Sequence, residues 1–323
     1  MILSKTPYRI SLFGGGTDFP EWFNVNKSLV ISTTIDKYAN IGIRYLPPFF
    51  EKKNRIIWSK IELLDNIDDI THPSIKAILK YFKEKRGVEV HHYGDLPARS
   101  GIGSSSSFAV GFLNLLFYLH KQKASKKRLS EVAIHIEKKI LNEEGGWQDQ
   151  VIVSKGGFNE IKFFNNKFKL SSINIDHKTK KKLDDSLLLF YTGVPRYSFD
   201  LQKVFKKNIK NLSSELKEIT EIALEAKKII SSKKNFDELG KLLHESWLIK
   251  KTFTNEISNN NIDEIYKIGI NAGATGGKLL GAGNSGFILF YCNRNKQKRL
   301  ISKLKKLVHV PFNFENKGTQ IYL

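Results

Sequence analysis

Three short tracts hold the residues with the clearest capacity for chemistry. The first is Pro97-Ala-Arg99-Ser-Gly101-Ile-Gly103-Ser104-Ser105-Ser106-Ser107. Small residues let a backbone approach a ligand closely, and a following helix presents unpaired N–H groups at its positive end. Together these features favour a bound phosphate, and the hydroxyls can donate to phosphate oxygens or ligate Mg2+. The same residues also suit a flexible Ser-rich loop with an ordinary N-cap. The second tract is Gly145-Gly146-Trp147-Gln148-Asp149-Gln150, shortly after Glu137. A lone Asp in a glycine-bounded turn is commonly a turn residue. Two carboxylates near a phosphate loop fit more: one can hold Mg2+ and the other can accept a hydroxyl proton, the two acidic tasks of phosphoryl transfer. The third tract is Gly281-Ala-Gly283-Asn284-Ser285-Gly286.

Generic templates fail on these tracts. GxxxxGK[ST] is missing: Lys278 follows Gly277, but Ala272 and Leu279 occupy the first-Gly and Ser/Thr positions. The third tract fits GxGxxG, yet a dinucleotide fingerprint follows a strand and opens a helix, and here a helix precedes and an apolar strand follows. Without GxSxG the serines are no nucleophile elbow. His244-Glu245 lacks the second His of HExxH, since Leu248 stands there. The lone cysteine, Cys292, excludes an intramolecular disulfide framework and a CxxC metal site.

The elements that must position these tracts follow from periodicity. Segment 7–13 alternates, with Tyr8, Ile10 and Leu12 on one face and Arg9 and Ser11 on the other, as in a half-buried strand. Gly14 to Gly16 break it. Segments 28–35, 38–46 and 88–93 read as strands and 73–86 as a helix. Residues 108–119 are apolar all round, and the serines ahead of them, good caps, favour a buried helix over two strands. In 129–141, Leu129, Val132, Ala133, Ile136 and Ile140 form an amphipathic stripe, with Glu137 at its edge and Gly145-Gly146 as the stop. Then come a strand in 156–164, a polar stretch at 171–185, a strand at 187–192, a long helical region at about 199–250, a helix at 262–272, a glycine-rich turn at 273–286 and a strand at 287–291. Strands and helices in both halves give a two-domain α/β or α+β protein, divided at 183/184 in the polar stretch.

The chain has 323 residues, 41% of them hydrophobic and 26% charged, enough for about two packed domains and against wholesale disorder. No apolar run reaches the ~18 residues of a membrane span, and the first ten residues lack the pattern of a signal peptide, so a cytoplasmic location is expected. The net charge of +21 suits polyanions, but only nine of the 53 basic residues are Arg. The Lys, Asn and Ile abundance matches A/T-rich coding, and the lysines are spread through helical runs. No nucleic-acid or membrane partner is expected.

In this order, Pro7 to Asp18, Pro97 to Ser107 and Lys278 to Phe287 resemble the three motifs of the galactokinase, homoserine kinase, mevalonate kinase and phosphomevalonate kinase (GHMP) superfamily. The resemblance spans nearly the whole chain. It implies an α+β fold: an N-terminal α/β domain (1–183) with a left-handed βαβ unit, and a C-terminal ferredoxin-like domain (184–323). Within the superfamily the chain is most similar to D-glycero-D-manno-heptose 7-phosphate kinases, through FGGGTD (13–18), DLPARSGIGSSSSF (95–108), WQDQ (147–150), GGFN (156–159), YTGVPR (191–196) and GATGGKLLGAG (273–283). The nine-residue step from Arg9 to Asp18 and the twelve-residue step from Glu137 to Asp149 resemble galactokinase. One departure stands in the third motif, where Asn284 and Ser285 replace glycines. A Cβ there can crowd the phosphates, and Asn tolerates a positive φ better than Ser.

What the resemblance implies is ATP- and Mg2+-dependent phosphorylation of the anomeric hydroxyl of a heptose 7-phosphate, in nucleotide-activated heptose biosynthesis for surface polysaccharide. Asp149 is implied as the base, with Arg9 beside it. Gly101, Gly103, Ser104, Ser105 and Ser106 are implied at the ATP phosphates, and Ser105 and Glu137 at Mg2+. Asp18, Gly15 and Gly16 would face the sugar. Arg99, Arg196 and Lys278 are candidates for the 7-phosphate, since guanidinium forks suit phosphate, and Trp58 is a candidate to stack on adenine or to be a buried structural residue. A homodimer is one assembly the resemblance admits. Two alternatives stand beside this reading: another sugar 1-kinase of the superfamily, fucokinase- or galactokinase-like, and a basic binding protein that keeps the fold without catalysis.

Overall fold

A computed structural model describes residues 1–193, 198–233 and 236–323. The first part of the chain runs β1 (Ile2–Phe13), α1 (Pro20–Phe23), β2 (Val30–Tyr45), β3 (Asn54–Ile57), β4 (Ile61–Leu64), α2 (Pro73–Tyr81), β5 (Val88–Gly94), α3 (Ser104–Leu119), α4 (Lys126–His135), α5 (Gln148–Lys155), β6 (Asn159–Phe164) and β7 (Lys167–Ser172). The second runs α6 (His177–Asp185), β8 (Leu187–Tyr191), α7 (Ser198–Asn208), α8 (Ser213–Ser232), α9 (Asp237–Lys251), α10 (Asn260–Ala272), β9 (Ala274–Leu279), β10 (Phe287–Cys292), α11 (Arg294–Lys303) and β11 (Val308–Val310). It closes with β12 (Phe314–Glu315) and β13 (Gln320–Tyr322).

The architecture is mixed α+β, as expected. Among the described residues, nine strands form one sheet around β13-β1-β2-β5-β3-β4, with β12 and β6 also on β2 and β7 on β6. Its pairs are antiparallel except β3–β5, a parallel pair joined through β4 and α2. The other sheet has the order β11-β8-β10-β9, antiparallel throughout. With helices between β8 and β9 and between β10 and β11, that is the ferredoxin-like arrangement. The division at 183/184 falls inside α6, and β12 and β13 return to the first sheet.

Several elements depart from the sequence reading for identifiable reasons. β1 is buried on both faces from Thr6 to Phe13 rather than half-buried. Tyr8, Ile10 and Leu12 pack with Leu239, Leu243 and Phe287 of the second unit, while α3 and α5 cover the other face. The two segments 28–35 and 38–46 are one strand: Pro7 pairs with Tyr38 but Tyr8 with Ile35, so Asp36 and Lys37 form a bulge that keeps β2 continuous. The serines at 104–107 are not caps but the first turn of α3, whose N-cap is Gly103 at φ 73° with no side-chain cap. The rest of α3 is apolar all round because α2, α4, α5 and the sheet surround it. The helical region 199–250 is three helices. The expected turn 273–286 is half strand, since β9 carries Gly276 and Gly277 against neighbouring backbone.

The approach of α9 to β9 depends on this lack of side chains. A Cβ on Gly276 would lie 1.8 Å from the Gly240 carbonyl oxygen. Gly276→Ala is therefore expected to cost about 2–3 kcal/mol of stability by forcing that helix off the sheet. Gly15→Ala, whose nearest heavy atom would be 3.6 Å away, is expected to cost much less. Denaturant midpoints of the two variants check this, and equal midpoints would contradict it.

Candidate active site

Arg9 projects from β1 into a cavity bounded by the loop 14–18, the N-terminus of α3, the turn at Ile136–Ile140, the start of α5, and residues of α7, α9 and the loop after β9. Its guanidinium grips Asp149 with a fork: Nε donates to Oδ1 at 2.7 Å and Nη2 to Oδ2 at 2.6 Å. Nη1 donates to the Gly101 carbonyl. The Arg9 side chain is 6% exposed and that of Asp149 23%, so the pair is shielded yet open on the carboxylate side. Asp149 lies in the first turn of α5, near that helix's positive end, rather than in a free turn.

The glycine–serine tract wraps this pair. Gly101 and Gly103 have φ of 85° and 73°, and a Cβ on Gly103 would sit 3.0 Å from Arg9 Cγ. Without a side-chain cap, the leading N–H groups of the sixteen-residue α3 lack intrahelical partners beside the cavity. Helix polarity adds positive potential there. Ser104, Ser105 and Ser106 all line the cavity. Gly101 and Gly281 meet almost back to back, which explains why both loops need glycine there.

Glu137 forms a buried acidic wall. It sits in a π-helical turn, Ile136–Ile140, that interrupts the expected 129–141 helix after α4. π turns are rare and concentrate at functional sites. Glu137 is 3% exposed. Gln150 Nε2 and, at 3.4 Å, Ser106 Oγ donate to its Oε2. Oε1 is buried with no hydrogen-bond partner. Burial raises its pKa from 4.5 to about 7, against the nearby Lys138. That orphaned hard oxygen is what an Mg2+ ion would take up. Among the described residues no three His, Cys, Asp or Glu cluster to hold a metal by themselves, so phosphate oxygens and a hydroxyl of the serine run would complete such a shell, as suits Mg2+; Ser106 stands beside Glu137, and the expected Ser105 is exposed at the cavity.

Asp18 closes the opposite side. Its Oδ1 accepts from Gly16 N–H and its Oδ2 from Gln148 N–H, both at 3.1 Å. Burial raises its pKa, with these donors opposing and Asp149 adding to the rise. A Cβ on Gly146 would overlap this carboxylate, so the glycines at 145–146 are there for access as well as for chain direction. Gly15 and Gly16 line the cavity. Arg99, at φ 60°, lies exposed at the rim, its N–H donating to Ser104 Oγ at 3.1 Å.

Of the expected site residues, thirteen line one cavity: Arg9, Gly15, Gly16, Asp18, Arg99, Gly101, Gly103, Ser104, Ser105, Ser106, Glu137, Asp149 and Lys278. Arg196 lies outside the described residues. Trp58 is not among the lining residues; its indole N–H donates to Glu62 at 2.7 Å and its ring meets His72 edge-on. Asn284 takes φ 68° and turns its amide to Asn259, while Ser285 lines the cavity. The residue the sequence did not reveal is Lys250, at the end of α9. It is one of many lysines in a helical run, and only the packing of α9 on β9 turns it inward.

Comparison with known proteins finds matching family models, curated relatives and solved structures. The family models for the GHMP kinases N terminal domain and GHMP kinases C terminal match residues 73–157 and 226–309. A D-glycero-alpha-D-manno-heptose 7-phosphate kinase of Campylobacter jejuni is 29% identical over 94% of this chain and 93% of its own length. A mevalonate kinase of Methanocaldococcus jannaschii is 29% identical over 72% of this chain and 71% of its own. A solved structure described as a D-glycero-D-manno-heptose 1-phosphate kinase from Bacteriodes thetaiotaomicron superposes with a TM-score of 0.82 at 22% identity, covering 100% of this chain and 99% of that one.

Glu137 links the site to stability. Its folded pKa lies above its unfolded value, so the stability it contributes is present below about pH 4.5 and is lost as pH rises through about 7. Without Mg2+, Glu137→Gln is therefore expected to be more stable than the wild type at pH 8, by about 1–3 kcal/mol, with the gap closing near pH 4.5. Urea melts at both pH values check this. Parallel pH profiles would show that Glu137 does not ionise in a buried site.

Proposed function

The chain belongs to the GHMP kinases, which makes it a phosphotransferase with an alcohol acceptor, and we propose that this acceptor is the anomeric C1 hydroxyl of D-glycero-D-manno-heptose 7-phosphate. ATP is the donor and the 1,7-bisphosphate the product, a step toward nucleotide-activated heptose for surface polysaccharide. The observation that carries the reading is the Arg9–Asp149 fork, set between the N-terminus of α3 and the Asp18 loop. The choice of sugar draws on the similarity to the Campylobacter jejuni kinase over almost the full length of both chains.

Each side chain then has a task. Arg9 fixes the plane of the Asp149 carboxylate, so that its free lone pairs face the cavity, where they orient the acceptor hydroxyl and take its proton. The same guanidinium stabilises charge as the phosphoryl group moves. The N–H groups of Gly101, Gly103 and the first turn of α3, with the Ser104 and Ser106 hydroxyls, hold the triphosphate. Glu137 and Ser105 would hold Mg2+, which when bound neutralises phosphate charge. Asp18, with the backbone of Gly15 and Gly16, meets the sugar hydroxyls. Lys278 would meet the 7-phosphate, with Arg99 at the rim as the second candidate.

Two measurements test this. Asp149→Asn is expected to lower kcat by about 10²–10⁴-fold while ATP binding is kept, the loss typical of a missing general base. Wild-type turnover would remove Asp149 from the mechanism. In an ATP-consumption assay across heptose 7-phosphate, free heptose, galactose and fucose, the first is expected to have by far the highest kcat/KM, because a remote phosphate supplies binding energy that orients the reacting hydroxyl. NMR of the product is expected to place the new phosphate on C1. Comparable kcat/KM for free sugar and sugar phosphate would sink the heptose 7-phosphate assignment.

A further inference from the structure

The floor of the cavity carries more positive charge than the catalytic pair uses. Lys278, on β9, is 5% exposed, and its Nζ donates to the Leu12 carbonyl at 3.0 Å. Lys250, on α9, donates to the carbonyls of Leu279, at 3.3 Å, and Gly281. Both line the cavity. Among the described residues neither lysine has a carboxylate within ion-pair distance, and the fork of Arg9 occupies Asp149. A buried ammonium without a counter-ion is costly, and backbone carbonyls offset that cost only in part. Burial lowers both lysines, with Arg9 adding to each and Lys278 adding to Lys250; Lys278 falls to about 8. Three cations therefore converge where, among the described residues, only Arg9 has an ion-pair partner, Asp149.

We propose that Lys250 and Lys278 form an anion subsite for a phosphate that the acceptor already carries, an inference that rests on the kinase reading above and adds Lys250 to it. The placement favours the acceptor over the nucleotide. The triphosphate has its own donors at the N-terminus of α3, whereas Lys278 is anchored on the Leu12 carbonyl; Lys250 is anchored on the Gly281 carbonyl, whose residue packs on Gly101. Leu12 lies on the stretch of β1 that leads into the Gly14–Gly16 loop and Asp18, the side assigned to the sugar. Ser246, one turn before Lys250 on α9, lines the same wall and offers a hydroxyl. A dianionic phosphate here would neutralise both ammonium groups in a desolvated site, where charge-assisted contacts are strong. A neutral sugar would leave both unpaired, so the pair selects against it as well as for its phosphorylated form.

The test uses Lys250→Met, Lys278→Met and Lys250→Arg in the full chain. For each Met variant, the ratio of kcat/KM for heptose 7-phosphate to that for free heptose is expected to fall by about 10²-fold, with the KM for ATP changed less than about threefold. Lys250→Arg is expected to restore part of the ratio. Calorimetry with inorganic phosphate provides a readout without turnover. The wild type is expected to bind it, heptose 7-phosphate but not a non-hydrolysable ATP analogue is expected to displace it, and both Met variants are expected to lose it. Displacement by the ATP analogue, or a raised KM for ATP with an unchanged acceptor ratio, would assign the lysines to the nucleotide and overturn the proposal. If the protein turns over a different phosphorylated alcohol and the Met variants lose selectivity for that phosphate, the subsite stands and the heptose assignment falls. A neutral preferred acceptor with unaffected Met variants overturns the subsite.

Discussion

The contact on which the site depends is the forked ion pair between Arg9 and Asp149, which joins positions 140 residues apart in the chain. A buried ion pair offsets its desolvation only when its geometry is good and its remaining donors are satisfied. Here both carboxylate oxygens are engaged, and the third guanidinium nitrogen donates to the Gly101 carbonyl. One side chain thus sets the relative positions of the central strand, the helix carrying the base and the phosphate loop. The surrounding glycines follow from this crowding: Gly103 leaves room for Arg9, Gly146 for Asp18, and Gly101 and Gly281 for each other's backbone.

Around that pair the site is strained by charge. Glu137 and Asp18 are buried carboxyls with raised pKa, and Lys250 and Lys278 are buried amines with lowered pKa. Burial is the first cause in all four; an anion would relieve the two lysines and Mg2+ would relieve Glu137, while Asp18 is held by two backbone N–H donors. Opposed shifts of this kind, gathered in one cleft, mark a candidate functional site, because burial and neighbouring charge displace pKa values where chemistry is done. The apolar packing of β1 between α3 on one side and the second unit on the other supplies the rigidity that holds these groups in place.

Much of this was legible in the sequence because it is local. The alternation of 7–13, the Gly/Ser tract before an apolar run and the carboxylates at 137 and 149 each read from a few neighbouring residues, and the family resemblance put them in order. What was not legible depends on contacts between distant segments. Lys250 looks like Lys251 until α9 packs on β9. The π turn at 136–140 adds a residue to the helical turn, so Glu137 is buried and Ile140, the last member of the expected apolar stripe, is exposed; the regular 3.6-residue pattern read Glu137 as a stripe-edge residue rather than a cavity wall. The double burial of β1 needs the second unit in place, and the strand in 274–279 is hidden by glycines that a turn would also use.

The most direct measurement is a crystal structure of the ternary complex with Mg2+, a non-hydrolysable ATP analogue and heptose 7-phosphate. The C1 hydroxyl is expected within hydrogen-bond reach of Asp149 and in line with the γ-phosphorus, with the Arg9 fork retained. A C1 hydroxyl held away from Asp149, or an Arg9 guanidinium released from that carboxylate to other partners, would contradict it.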